Sequence, residues 1–376
     1  MSDSKINLKR ATILGGSFIA FAIGSGYATG QENLQYFAAY GFHAVFSSIV
    51  FFAFNVYLSF NFLEAGRKGQ FDKGSQVFNY FCGKYIGSFF DWFTILFIFL
   101  LFAMMLSGAG ATLQQHFGIP PVPGAIGIAV LSCLTTFLGL RRLVDIIGLV
   151  GPVIIVFCIL GAIIGLAYGD HSPAEGNARL AELNIMSVGT NWFTAVMSYL
   201  GFGVLMFAPF FAMIGKTESS LKTAKAGTAI GILMLSITTL LVAMALLANI
   251  GKVSGSQIPM LHIVTDVAPW LGTFFSIIIF LGIYSTACPL LWTVSSRLGR
   301  EGTARYNIIT TVLAVIACLI ALALPFANLV NFVLGINGKV GAVMFFFIIA
   351  KNVRTVMEKR QSAALTIKAE SGAEIL

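Results

Sequence analysis

The sequence predicts an all-α polytopic membrane protein with ten transmembrane helices. Of its 376 residues, 57% are hydrophobic and 10% are Asp, Glu, Lys or Arg, whereas soluble domains carry roughly 25% charged residues. The mean hydropathy is +0.89, and apolar runs of about 20 residues, the length that a helix needs to cross a bilayer, recur along the chain. These observations exclude an ordinary soluble protein and favour one polytopic membrane domain over several globular ones.

The net charge of +8 does not indicate a nucleic-acid partner, because the basic residues lie between apolar runs rather than in one patch with stacking aromatic residues. The five cysteines occur singly, without the paired spacing of a zinc site or a disulfide. We therefore expect the lipid bilayer and a small-molecule substrate as partners, no nucleic acid, no cofactor, and no metal apart from a coupling ion. Nothing in the sequence indicates an oligomeric state.

Ten apolar runs define the predicted spans. They cover residues 11–39, 42–65, 87–113, 122–140, 143–168, 191–214, 224–250, 268–296, 304–324 and 327–350. Lys and Arg concentrate in cytoplasmic loops, and a cytoplasmic N-terminus places most of the 23 basic residues on that side. We expect an orientation in the cell (plasma or inner) membrane with residues 1–10 and the basic tail 351–376 in the cytoplasm, at the predicted inner end of the bundle.

The ten spans divide into two halves of five, residues 11–168 and 191–350, joined by an extracytoplasmic loop, 169–190, at the predicted outer end. The first span of each half carries a glycine cluster near mid-membrane depth, Gly24-Ser25-Gly26 in span 1 and Gly201-Phe202-Gly203 in span 6. Inverted repeats place discontinuous helices at a binding site, and glycine disfavours helix by about 1 kcal/mol relative to Ala. We therefore predict that both spans are broken there. The alternative is that the clusters are small-residue packing faces.

These segments resemble a known fold. Gly24-Ser25-Gly26, Leu200-Gly201-Phe202-Gly203 and, in span 8, Gly282-Ile283-Tyr284-Ser285-Thr286 are similar to the signature segments of the LeuT fold. That fold belongs to the amino acid-polyamine-organocation superfamily of secondary transporters, and the likeness is to its sodium-coupled symporters in particular. The stretch IGSGYATGQE, from Ile23 to Glu32, resembles the YkvI-like bacterial membrane proteins. The resemblance implies a 5+5 inverted repeat with helices 1 and 6 broken at mid-membrane.

The resemblance also implies a Na⁺ site between spans 1 and 8. The matching positions are the carbonyls of Ala20, Ile23 and Gly282 and the hydroxyls of Ser285 and Thr286. A monovalent cation needs about five oxygen ligands, and an adjacent Ser-Thr pair can close around one ion because consecutive helical residues point about 100° apart. The alternative is that both hydroxyls bond to carbonyls one turn earlier in their own helix.

The substrate pocket is predicted around the span 1 break. The N–H groups of Ser25 and Gly26 begin the outer half-helix, whose positive pole favours a carboxylate. A largely apolar lining with few polar anchors suits an amino acid or related zwitterion with a modest uncharged side chain. The predicted substrate-binding residues are Ser25, Gly26, Tyr27, Met104, Ser107, Tyr199, Gly201, Phe202 and Leu290, with Met105 beside them.

Two ionisable residues fall inside predicted spans, where charge is costly. Glu32 lies about two turns outward of the span 1 break, and Lys339 lies near mid-depth in span 10. By resemblance they are predicted to form the ion pair of an outer gate, with the usual signs exchanged. Two alternatives stay open: each residue faces a wet vestibule separately, or Glu32 carries a proton or anchors a cationic substrate.

The sequence thus predicts an ion-coupled secondary transporter, with Na⁺ as the coupling ion, that moves a small organic solute by alternating access. One alternative is a transporter-like receptor or sensor that binds the solute without translocating it, and another is a proton-coupled transporter that uses Glu32. Catalysis is not expected, because the four histidines are far apart in the chain and no nucleophile, base and orienting acid recur on one span.

Overall fold

The computed structural model describes residues 6–138 and 150–373, and every regular element in these ranges is helical. This confirms the predicted all-α architecture. In chain order the helices are α1 (Leu8–Ala22), α2 (Ser25–Ala28), α3 (Gln31–Tyr36), α4 (His43–Gly69), α5 (Gln76–Phe117), α6 (Pro121–Phe137), α7 (Val150–Ala167), α8 (Pro173–Arg179), α9 (Trp192–Thr217), α10 (Leu221–Ala248), α11 (Ile250–Val253), α12 (Pro259–Val267), α13 (Pro269–Leu298), α14 (Ala304–Ala323) and α15 (Phe326–Ala373). Two 3-10 turns, Ala38–Tyr40 and Leu180–Glu182, lie in the connections.

Within the described ranges, seven helices are long and apolar enough to cross a membrane. They are α4, α5, α9, α10, α13, α14 and the first 33 residues of α15, and they coincide with predicted spans 2, 3 and 6 to 10. Spans 4 and 5 coincide with the shorter apolar helices α6 and α7, and residues 139–140 and 143–149 of those spans lie outside the described residues. The protein is thus an integral membrane protein. Span 10 continues without interruption into the tail.

Span 1 is divided twice. Helix α1 ends at Ala22, and both Ile23 and Gly24 have extended backbone angles, so the first interruption lies where the sequence predicts a break. The second lies at Gly30, whose φ of +83° is in the left-handed region that favours glycine. A Cβ at Gly30 would also approach Met260 Cγ of α12 to 2.6 Å. The outer part of span 1 is therefore the two short helices α2 and α3, folded at Gly30.

Span 6 differs from the prediction, because α9 is one continuous helix through Gly201 and Gly203. The physical reason is close packing. A Cβ on Gly201 would overlap the carbonyl oxygen of Gly338 in α15 and lie 2.6 Å from the backbone nitrogen of Ala342. The glycine lets two helix backbones touch, which is the small-residue packing that the sequence left as the alternative.

The two predicted halves interleave. Helix α9 packs extensively against α4 of the first half and α15 of the second, and α1 packs along α10. Glycines allow these approaches too: a Cβ on Gly66 of α4 would overlap the Ala212 carbonyl of α9, and a Cβ on Gly15 of α1 would lie 2.8 Å from the Gly227 oxygen of α10. Elements from both halves therefore surround the span 1 break.

Both ends of the bundle are held by polar contacts between helices and loops. At the predicted outer end, the side-chain amide of Gln35 donates to the Ala327 carbonyl at 3.0 Å and accepts from Asn331 Nδ2 at 2.9 Å. Lys252 also pairs there with Asp170 at 2.7 Å and with Asp266 at 2.5 Å. Three further ion pairs join elements at the predicted inner end. They are Arg10 with Glu218 at 2.7 Å, Lys225 with Glu64 at 2.6 Å, and Arg297 with Asp91.

Candidate ion and ligand site at the span 1 break

The first interruption of span 1 is covered by span 3. The Ser25 N–H points to the sulfur of Met105 at 3.3 Å, and a Cβ on Gly24 would lie 3.0 Å from Met105 Cε. The Ser25 N–H that was predicted to meet a substrate carboxylate thus already faces a thioether, a weak acceptor.

Four of the five groups predicted for Na⁺ lie together at this interruption. The Thr286 hydroxyl is 3.3 Å from the Ile23 carbonyl oxygen and 3.0 Å from that of Gly282. The Ser285 hydroxyl is also 3.0 Å from the Gly282 oxygen. Both hydroxyls therefore bond one turn back, as in the alternative, while Thr286 also reaches across to span 1. The fifth position, Ala20, lies in α1 three residues before Ile23.

Glu32 lies against the break rather than in a vestibule. Its side chain is 4% exposed, and its Oε2 accepts a hydrogen bond from the Tyr199 hydroxyl at 2.8 Å. The turn at Gly30 folds α3 back along α2, so that a Cβ on Gly26 would overlap the Glu32 carboxylate. Where the sequence predicts a carboxylate of the substrate, the structure thus holds a carboxylate of the chain itself.

Aromatic rings surround Tyr199, the hydrogen-bond donor to Glu32. The ring of Tyr199 lies 5.0 Å from that of Tyr36, 5.5 Å from Phe37, 5.4 Å from Phe51 and 5.6 Å from Phe202, measured between centroids. Phe202 in turn meets Phe97 of span 3 at 5.6 Å. We call Tyr36, Phe37, Phe51, Tyr199 and Phe202 the aromatic box. Its rings come from spans 1, 2 and 6, so the box exists only when these helices are assembled.

The segment that carries Glu32 also holds buried polar atoms without a hydrogen-bond partner in the described part of the chain. They are Gln31 Oε1, both side-chain polar atoms of Asn33 and, across the break, Ser25 Oγ. Buried polar groups are nearly always paired in proteins. Unpaired ones on one short segment are therefore a feature expected of a place where a ligand or water completes the bonding.

The structure does not bring Glu32 and Lys339, the predicted gate pair, together. Lys339 is exposed on the face of α15 that carries the exposed side chains of Ile336 and Val343. Gly338 and Gly341 pack against α9, and this fixes the rotation of α15 with Lys339 turned outward. Among residues 6–138 and 150–373, no ion pair joins Glu32 to a basic side chain.

The other predicted pocket residues separate into groups. Tyr199 and Phe202 meet in the aromatic box, whereas the Tyr27 hydroxyl turns to span 7 and lies 3.0 Å from Thr239 Oγ1. Met104 and Leu290 are buried in spans 3 and 8. Ser107 lines a different cavity of about 400 Å³, beside Gln114, Gln257 and Phe326. Gly201 belongs to the packing interface with α15, as described above.

Two features were not foreseen from the sequence: the contact of Met105 with the break and the fold of α3 onto α2. For the second, a signal exists. Gly30 follows a short helical segment, and a glycine in that place commonly takes the left-handed conformation that ends a helix. The break predicted at Gly24-Ser25-Gly26 did not include Gly30, so this turn was not predicted. Met105 was expected beside the pocket, but no signal in the sequence reports that its sulfur meets the Ser25 N–H.

No protein-family model matches the chain. Over 276 residues it is 25% identical to the uncharacterised protein YyaD of Bacillus subtilis (strain 168), a match that covers 73% of this chain and 78% of YyaD. Over 280 residues it is 20% identical to the uncharacterised membrane protein YkvI of the same organism, covering 74% of this chain and 78% of YkvI. The predicted resemblance to YkvI is therefore confirmed as a distant one.

Solved structures of similar fold are transporters. A substrate-bound, outward-open Na⁺-coupled sialic acid symporter matches with a TM-score of 0.62 at 13% identity, over 89% of this chain and 78% of that one. Inward-facing Mhp1 matches with 0.61 at 18%, over 89% and 76%. MhsT in complex with L-phenylalanine matches with 0.58 at 15%, over 90% and 88%. These matches confirm the LeuT fold, so the molecule is a LeuT-fold membrane protein.

Proposed function

We propose that the protein is a secondary transporter that couples movement of a small organic solute to Na⁺ by alternating access. The observation that carries the proposal is the convergence of the Ile23 and Gly282 carbonyls with the Thr286 hydroxyl at the interruption of span 1. The sialic acid symporter, which is Na⁺-coupled, and MhsT, in complex with L-phenylalanine, agree with this class.

The donor set suits Na⁺ for a chemical reason. Ile23 has an extended backbone at the end of α1, so its carbonyl leaves the helical ladder and turns to Thr286. A hydroxyl offers lone pairs once its proton rotates away from the site, and a carbonyl that now accepts from that hydroxyl is then free to face a cation. Bound Na⁺ joins span 1 to span 8, and therefore favours the conformations in which the two are close.

The finer parts of the proposal follow the sequence. The solute predicted from the sequence is an amino acid or a related zwitterion, and the proposal places the protein in the cell membrane with both termini cytoplasmic. The five-helix halves 11–168 and 191–350 carry the alternating movement. A second candidate is proton coupling through Glu32, which is favoured by its burial without a basic partner in the described part of the chain.

The test is the thermal unfolding midpoint of the purified protein in Na⁺ against K⁺ at equal ionic strength. A ligand at about 100 times its Kd stabilises a protein by about 2.7 kcal/mol. We expect Na⁺ to raise the midpoint of the wild type, and Ser285→Ala with Thr286→Ala to abolish the rise. The matched control is Thr293→Ala with Ser296→Ala, because those hydroxyls of α13 also bond back to their own helix, away from the break.

The control should keep the full Na⁺ response. Uptake into proteoliposomes, driven by an inward Na⁺ gradient, should follow the same order among the three proteins. A wild type that ignores Na⁺ near neutral pH but takes up solute along a proton gradient would replace this proposal with the proton-coupled candidate.

A further inference from the structure

We propose that Glu32 and the aromatic box bind the ammonium group of the solute, and that the solute is an amine without a carboxylate next to its amino group. This deepens the proposed function, since it assumes a transporter, and it does not depend on Na⁺ being the coupling ion. It replaces the predicted amino acid with an organic cation.

Glu32 is buried without a countercharge in the described part of the chain. Glu32 is 4% exposed and has one hydrogen-bond donor, the Tyr199 hydroxyl. In the described ranges no Lys, Arg or His lies within ion-pair distance of it, and the predicted partner Lys339 is on an outward face of α15. A buried carboxylate is costly unless it meets a cation or takes a proton. The cation that the chain lacks can be supplied by the solute.

Glu32 also lies where the carboxylate of a bound amino acid would have to be. An amino acid at the span 1 break would put its carboxylate near Ser25 and Gly26, and the Glu32 carboxylate already touches Gly26. Two carboxylates in one buried site repel each other, so that both cannot stay ionised. An amine has no carboxylate for Glu32 to repel, and its ammonium group is attracted to Glu32.

The rings of the aromatic box also favour a cation. Ring faces carry negative electrostatic potential and attract cations, most strongly where water is excluded. Tyr199 binds Glu32 and packs against the other four rings of the aromatic box. An ammonium group has three donors. The unpaired side-chain oxygens of Gln31 and Asn33, on the same segment as Glu32, offer further acceptors.

The experiment compares amines with the amino acids from which they differ only by a carboxylate. The pairs are phenethylamine and L-phenylalanine, tyramine and L-tyrosine, isoamylamine and L-leucine, and cadaverine and L-lysine. Each is added to the purified full-length protein near pH 7 in saturating Na⁺, and the unfolding midpoint is recorded. We expect at least one amine to raise the midpoint in a concentration-dependent way, and its paired amino acid at the same concentration to leave it unchanged.

The variants assign the response to the site. Glu32→Gln should abolish the shift caused by the amine, whereas Glu182→Gln, which removes an exposed carboxylate of the outer loop, should keep it. Tyr199→Phe retains the ring and loses the hydroxyl, so the shift should survive at higher amine concentration. A retained Na⁺ shift in Glu32→Gln shows that the variant is folded.

Three results would overturn the inference: amino acids that stabilise more than their amines, an amine shift that persists in Glu32→Gln, or no shift with any amine. These results are separable from a failure of the proposed function. If Na⁺ has no effect and the Glu32-dependent amine shift remains, the coupling ion is wrong and the amine site stands. If the Na⁺ response of Ser285 and Thr286 holds and only amino acids bind, the amine site is wrong.

Discussion

At the scale of single residues, the glycines of spans 1 and 6 have different roles. Gly30 adopts a left-handed conformation that reverses the chain. Gly26 leaves room for a carboxylate from the next helix, and Gly201 allows two backbones to touch. The sequence shows that glycines are frequent near mid-membrane. The role of each glycine depends on which atoms come within about 4 Å of it, and those atoms belong to residues far away in the chain.

Gly201→Ala is expected to destabilise the protein strongly. The added Cβ would overlap the Gly338 carbonyl, and backbone atoms of a packed helix cannot move aside as a flexible side chain can. We expect a loss of about 1–3 kcal/mol, the usual range for overpacking, seen as a lower unfolding midpoint. The matched control is Gly127→Ala in α6, where a Cβ meets no atom within 4 Å and a gain in helix propensity of up to about 1 kcal/mol applies. Equal midpoints for the two variants would contradict the packing role of Gly201.

The candidate ion site was predictable at this scale and the surroundings of Glu32 were not. Ser285 and Thr286 are adjacent on one helix, so their relation to Gly282 one turn earlier is fixed by helix geometry. The partner of Glu32 depends instead on a reversal at Gly30 and on the rotation of α15. Helix rotation is decided by which face carries the close-packing glycines, Gly338 and Gly341. The depth of Lys339 along its helix does not determine that rotation.

At the scale of elements, span 1 and span 6 show how far the glycine pattern predicts a break. Both carry Gly-x-Gly, yet only span 1 is interrupted. In span 1 the extended residues are stabilised by contacts from other helices, with Met105 at the Ser25 N–H and Thr286 at the Ile23 carbonyl. In span 6 the neighbouring α15 lies so close that the regular helix is the better fit. Glycine lowers the cost of a break, and the partners of the freed backbone groups decide whether it forms.

Ion pairs and neutral hydrogen bonds between helices are expected to differ in salt dependence. Lys225→Met removes the pair with Glu64 and should cost less than about 1 kcal/mol, because the Glu64 side chain is 41% exposed and still has Lys68 beside it. This cost should vanish in high KCl, since screening shortens from about 10 Å at 0.1 M to about 3 Å at 1 M. Asn331→Ala removes the bond to Gln35 and should cost about 0.5–1.5 kcal/mol at any salt concentration. Unfolding midpoints of both variants at low and high KCl give the comparison, and a salt-independent loss for Lys225→Met would contradict it.

At the scale of the whole molecule, the orientation can be measured directly. Glu182 and Glu301 are exposed in loops at opposite predicted ends, and the five native cysteines are buried or half-buried. In intact cells, a membrane-impermeant maleimide should label Glu182→Cys, and it should label Glu301→Cys only after the membrane is permeabilised. The wild type gives the background. Labelling in the reverse order would invert the proposed topology.

The hydrogen bond between Tyr199 and Glu32 also has a consequence in time. Its two residues lie 167 positions apart, in different halves of the chain. Synthesis adds about 5–20 residues per second, so roughly 10–30 s pass between the emergence of Glu32 and that of its donor. During that interval span 1 has to enter the membrane with an acid that has no partner, and the apolar stretch before the break has to hold it there. Insertion of span 1 therefore takes place with an unpaired carboxylate. Folding provides the hydrogen-bond donor only later, when span 6 arrives beside it.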